Sequence, residues 1–137
     1  MNLLTLTRLF LGIIFIWYGA LKLFSGVSPA EELAIMTIDK LFFSLIPSYI
    51  AIKLLAIWEL VIGLGFLFGK YLRYITVLYL VHMGLTFTPL ILLPELCFTQ
   101  APFAFTLVGQ YIVKNLVFIS VGFMIYKNEI NQVFKKL

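Results

Sequence analysis

Hydrophobic positions run almost without a break through four stretches of the chain, at 3–24, 48–68, 71–93 and 110–126, and the polar residues gather between them. Each stretch is close to the roughly 20 residues that an α-helix needs to cross the hydrocarbon core of a bilayer. Runs this long and this uniform fit neither strands nor one-sided surface helices. The pattern predicts an all-α membrane protein, a four-transmembrane-helix up-down bundle, with residues 1–137 forming one membrane domain. The first stretch is apolar except for Arg8 and Lys22 near its ends, and Ser25, Gly26, Ser28 and Pro29 close it. Gly69-Lys70 ends the second after which only a very short turn can follow, and Pro94 ends the third. Between the first two spans, Ser28-Pro29-Ala30-Glu31-Glu32 carries the marks of a helix start: Ser28 as cap, Pro29 at the first helical position, and acids in the first turn. A short interfacial helix over 29–40 is expected there. A proline-containing connection over 94–109 leads to the fourth span, and a polar tail carries Lys127, Lys135 and Lys136.

Composition sharpens this picture. Of the 137 residues 63% are hydrophobic and 12% charged, and the mean hydropathy is +1.09, against about 25% charged residues in an ordinary soluble domain. A water-soluble protein is excluded. The net charge of +4 would suit nucleic acid, but the basic residues are scattered over short segments and form no stripe, so no nucleic-acid partner is expected. The single cysteine, Cys97, excludes an intramolecular disulfide and a thiol relay within the chain. The start of the chain, with Arg8 ahead of an apolar run, has the outline of a signal peptide. The run continues to Phe24 and lacks a small-residue cleavage site, so a retained first span is expected.

Charge in the flanks sets the orientation, because Lys and Arg are held on the cytoplasmic side during insertion. Arg8, Lys70, Arg73, Lys127, Lys135 and Lys136 fall on one side. Glu31, Glu32, Asp39 and Glu95 fall on the other, with Lys22, Lys40 and Lys53 nearby. Both termini are therefore expected to be cytoplasmic, in the inner membrane of a bacterium, with the acidic connections outward.

A charge at the centre of a span costs about 2.5–3.5 kcal/mol and normally faces protein or water, with a partner. Glu59 lies about 11 residues into the second span, roughly 16 Å deep at 1.5 Å per residue, and His82 reaches a similar depth in the third. Tyr79, His82, Thr86 and Pro89 form one helical stripe, as do Arg8, Gly12, Phe15, Gly19 and Lys22 in the first span and Tyr111, Asn115, Phe118 and Gly122 in the fourth. Turned inward, these faces predict a polar pocket floored by Glu59 and His82 and walled by Lys22, Thr86, Gln110, Lys114 and Asn115, with Trp17 and Trp58 as further candidates for ligand contact. Glu59 and His82 are the candidates for proton exchange, since imidazole changes charge near neutral pH, and Lys22 and Lys114 for holding an anionic or carbonyl group. A purely structural reading stands beside this one. Buried polar groups can fix helix register by bonding to one another, Lys22 and Lys53 can snorkel to the interface, and the tryptophans can be apolar bulk.

Absences narrow the chemistry further. One histidine cannot supply a bis-histidine haem, and no Cys/His cluster or metal-hydrolase set is present, so neither haem nor metal is expected within one chain. No glycine-rich phosphate loop and no Ser/His/Asp set occurs.

The segments Arg8-Leu9-Phe10-Leu11-Gly12 and Trp17-Tyr18-Gly19-Ala20-Leu21-Lys22-Leu23-Phe24 resemble the opening of bacterial DoxX-like membrane proteins. Ser28–Ala34, His82–Pro89 and Gly109–Leu116 are similar to an uncharacterised subgroup of them. The resemblance covers nearly the whole chain. It implies a small inner-membrane protein in a functionally mixed group, some members of which are associated with quinone-linked sulfur oxidation or redox stress, and it carries no agreed catalytic residues. The expectation drawn from pocket and resemblance together is a redox-associated protein whose outward pocket binds a quinone-like or other amphipathic ligand. Two alternatives stay open: a non-catalytic subunit or assembly factor for a larger membrane or redox protein, and an oligomeric small-solute carrier built from copies of this chain.

Overall fold

A computed structural model describes residues 2–134, so the predicted contribution of Lys135 and Lys136 to the charge pattern lies outside the described residues. Four helical stretches in it are long and apolar enough to cross a membrane: Leu3–Lys22, Ser48–Phe68, Leu72–Leu92 and Leu107–Asn131. The first is α1 (Leu3–Lys22), whose start is held by Asn2 Oδ1 accepting from the Thr5 N–H at 2.8 Å. The predicted interfacial helix is present as α2 (Glu31–Leu41), two residues later than the sequence suggested. Ser28 does not cap it. Its carbonyl accepts from the Glu31 N–H at 3.1 Å, and the Glu31 carboxylate reaches back to the Gly26 N–H at 2.7 Å. The second span is α3 (Ser48–Phe68). It ends at Gly69, whose left-handed φ of 69° suits glycine and over which the Arg8 guanidinium packs.

The third span is not one helix. It divides into α4 (Leu72–Leu85) and α5 (Pro89–Leu92), joined by Thr86-Phe87-Thr88. Pro89 has no N–H for the Leu85 carbonyl four residues back, and its ring would crowd that group. The Thr88 N–H donates to Leu85 O at 3.1 Å and the Thr88 hydroxyl adds a second bond at 2.7 Å, while the Thr86 hydroxyl donates to Met83 O at 2.6 Å. A tightened backbone turn, with Phe87 N–H on Gly84 O and Thr88 N–H on Leu85 O, together with these hydroxyls lets the helix break inside hydrocarbon. The connection expected over 94–109 is more ordered than a loop, with α6 (Pro94–Cys97) and a hairpin of β1 (Phe98–Gln100) and β2 (Ala104–Phe105). The fourth span, α7 (Leu107–Phe134), runs past the predicted 110–126 at both ends.

Two antiparallel pairs make the bundle. In the first, α1 and α3 approach at glycine: a β-carbon at Gly12 would lie 3.0 Å from Gly63 O, one at Gly63 would lie 2.8 Å from Ile16 N, and one at Gly19 would lie 3.0 Å from Ala56 O. Because Gly12 meets Gly63 while Gly19 meets Ala56, the two helices run in opposite directions with small residues seven apart on each. Such spacing keeps a seam in register along paired helices, and small residues are how helices approach in lipid, where apolar burial gives little preference for protein over lipid tails. In the second pair, Gly122 of α7 lies against Tyr79 and Leu80 of α4, and Tyr79 donates to the Phe118 carbonyl at 2.7 Å. Tyr79, Phe15, Phe66 and Ile62 centre the core. At most 39% of any spanning window is buried, and the exposed remainder carries large apolar side chains such as Phe10, Leu54, Val61 and Phe123, the surface a lipid environment requires.

Candidate functional site

Three ionisable side chains from three helices meet at mid-span. Glu59 of α3 accepts from Lys22 Nζ at 2.8 Å through Oε2 and at 3.1 Å through Oε1. His82 of α4 places Nε2 3.2 Å from the same Oε1. Each of the three residues is more than nine-tenths buried. Lys22 ends α1, a position from which a lysine can reach outward to the interface, but here its side chain turns inward. The Cα–Cβ bond of a helical residue leans toward the helix N-terminus, so the stem runs back along α1 past Gly19. That glycine clears the track, since a side chain there would meet Glu59 Cβ at 3.1 Å. Lys53 plays a different part. It is exposed and its Nζ donates to the Leu23 carbonyl at 2.6 Å, a cation closing the C-terminal end of α1.

Beside the triad lies a cavity of about 150 Å³ between α1, α4 and α7. Glu59, His82, Thr86 and Asn115 form its polar side; Ile14, Phe15, Met83 and Phe118 are apolar wall, with Tyr18 at the lipid-facing margin. Asn115 Nδ2 donates to Thr86 Oγ1 at 3.1 Å, tying α7 to the break in the third span. Phe15 and Trp58 stand edge-on to the His82 ring at centroid distances of 5.3 and 5.7 Å. Two buried polar atoms have no hydrogen-bond partner among the described residues: Nδ1 of His82 and Nε1 of Trp58.

Of the residues singled out from sequence, Lys22, Glu59, His82, Thr86 and Asn115 come together and Trp58 backs the imidazole. Trp17, Gln110 and Lys114 do not join them. Trp17 is 64% exposed, Gln110 is exposed, and Lys114 is exposed with its ammonium 5.1 Å from the centre of the Tyr111 ring. The reason is angular. With Asn115 turned inward, Lys114 is displaced by about 100° around the helix and Gln110 by about 140°. Tyr111, expected on the inward stripe, is 61% exposed. Met83 and Ile14 were not anticipated; each is an unremarkable apolar residue in its span, and only the packing marks it as cavity wall.

Chemically, the arrangement fixes a carboxylate between an ammonium and an imidazole, with the second imidazole nitrogen buried and unpartnered among the described residues. A histidine so placed can exchange a proton at one nitrogen while the other stays on the carboxylate. Outside the site, Cys97 is fully buried at the base of the hairpin. Burial, reinforced by the Glu95 carboxylate, pushes its thiol pKa up, which makes it a poor nucleophile at neutral pH.

No curated protein and no solved structure matches the chain. The sequence model of one protein family, described as DoxX, matches residues 3–92 of the 137. That region contains Lys22, Glu59, His82 and Thr86 and ends before the hairpin and α7.

Proposed function

This chain belongs to the DoxX family, and from that premise we propose that it is a redox-associated membrane protein that holds the single-ring head group of an amphipathic, quinone-like ligand in the cavity beside Glu59 and His82. The cavity carries this reading. Its volume of about 150 Å³ is that of a single aromatic ring, since an apolar cavity of roughly this size accepts benzene. It is too small for a whole lipid-soluble cofactor, so an isoprenoid or alkyl tail would stay in the bilayer. Apolar walls with a few convergent polar groups are the usual make-up of a ligand site. In this reading Phe15 and Phe118 hold the faces of the ring, Asn115 and Thr86 bond to one oxygen, and His82 moves a proton to or from the ligand while Lys22 and Glu59 keep the imidazole oriented.

We place the protein in the cytoplasmic membrane of a bacterium with both termini on the cytoplasmic side. Arg8, Lys70, Arg73 and Lys127 at the end of the bundle that holds the termini support this, as do Glu31, Glu32, Asp39 and Glu95 at the other.

The test is an ultraviolet-visible spectrum of the gently purified protein, followed by mass spectrometry of its organic extract against a matched membrane-protein control. A ring compound retained near stoichiometrically by the native chain and by Lys114→Met, and lost from His82→Ala and Asn115→Leu, is the expected result. An extract indistinguishable from the control, together with stoichiometric co-purification of another membrane protein, would replace this reading with that of an assembly subunit.

A further inference from the structure

A second cavity, of about 260 Å³, lies at the end of the bundle that holds the termini, among the start of α1, the end of α3 and the later turns of α7. Asn2, Thr5, Arg8, Gly69, Asn128 and Glu129 give it a mostly polar lining, where the mid-span cavity is mostly apolar. Arg8 lays its guanidinium over Gly69, so the charged end of that side chain, and not its stem alone, lies at the cavity wall. Glu129 lines the same space from α7. Both residues are half-buried. The ion pairs among the described residues are Lys22–Glu59, Lys40–Glu95 and His82–Glu59, and neither Arg8 nor Glu129 enters one. Two opposite charges thus share one cavity without meeting each other.

We propose that this cavity holds the zwitterionic head group of a phospholipid, a phosphate joined to a primary ammonium as in phosphoethanolamine, with the phosphate on Arg8 and the ammonium on Glu129. A lone anion there would meet the Glu129 carboxylate, and a lone cation the Arg8 guanidinium. A group that carries both signs opposes neither charge and adds no net charge to the site. The guanidinium fork matches a phosphate, and the side chains of Asn2, Thr5 and Asn128 supply further donors and acceptors. Position argues for a lipid as the source. The cavity sits where α1 begins and α3 ends, which is the depth of the head groups when the spans fill the hydrocarbon core. Leu3, Phe68 and Tyr71 beside it are each more than 70% exposed, an apolar surface along which acyl chains can lie.

The experiment is native mass spectrometry of the full chain released from nanodiscs that hold equal amounts of phosphatidylethanolamine and phosphatidylglycerol with identical acyl chains. Lys70 and Arg73 are exposed at the same end and favour the anionic glycerol lipid, so a preference for ethanolamine runs against the general field. The last lipid to leave the native chain should be the ethanolamine lipid by about fivefold, the worth of one partly exposed ion pair. Glu129→Gln should lose that preference, and Arg8→Gln should hold both lipids less well. Excess glycerophosphoethanolamine, which has the head group without the chains, should leave the bound lipid in place. Equal retention of the two lipids by the native chain, or a preference that survives Glu129→Gln, overturns the site. Displacement by glycerophosphoethanolamine overturns the lipid as its source. The comparison within the native chain needs no substitution, so it decides even where a variant fails to fold.

Discussion

Glu59 sits where a lone carboxylate would cost about 2.5–3.5 kcal/mol, and the chain offsets that cost with a partner drawn from 37 positions away in sequence. Depth along the span was enough to mark Glu59 and His82 as interior. It was not enough for Lys114, because depth says nothing of which side of a helix a side chain leaves. Helical spacing sets Lys22 on the inward stripe with Gly12, Phe15 and Gly19, but its bond to Glu59 past the missing side chain of Gly19 is a contact between helices that no spacing within one helix encodes. A buried pair broken on one side leaves an uncompensated charge, worth about 3–5 kcal/mol. Glu59→Gln and Lys22→Met should therefore each lower stability by that order, and the double variant should be more stable than either single one. Unfolding of the three variants in mixed micelles checks this, and strict additivity would rule out a coupled pair.

Among the elements, the seam of α1 and α3 is the most demanding. Gly63 faces backbone atoms of the opposite helix, so Gly63→Leu cannot be accommodated by a side-chain rotation and should destabilise by about 1–3 kcal/mol or more. Gly84 of α4 has nothing within 4 Å of its would-be β-carbon, and Gly84→Ala should be neutral or stabilising by up to about 1 kcal/mol. Thermal aggregation midpoints of the two variants, measured side by side, make the comparison; equal loss in both would mean that glycine there serves flexibility and not approach. Four spans were legible because runs of apolar residues report directly on the solvent around them. The break in the third was half legible: a proline inside a span marks an interruption, while the tightened turn and the hydroxyl bonds that repair it are settled by local backbone geometry. The hairpin of β1 and β2 was not legible, since strands of three and two residues are too short to show an alternating pattern.

At the scale of the molecule, the proposed orientation puts the hairpin on the non-cytoplasmic side, and two thiols can test it together. Phe103, at the hairpin tip, is 90% exposed, whereas Cys97 at its base is buried with a raised pKa. A membrane-impermeant maleimide on intact cells should label Phe103→Cys within minutes at pH 7. The native chain should remain unlabelled there and react only slowly as the pH is raised and the thiolate fraction grows. Labelling of Phe103→Cys only after the cells are lysed would invert the topology. The two helix pairs also meet unevenly: α1 packs closely on α3 and α4 on α7, while α1 and α7 barely touch, and the cavity lies behind that sparse contact. Entry of the proposed ligand between α1 and α7 would be from the acyl chains and not from water. For a ligand that dissolves in lipid, occupancy is then governed by its mole fraction in the bilayer, so two membranes exposed to the same aqueous concentration would fill the site to different extents if their lipids dissolve the ligand differently.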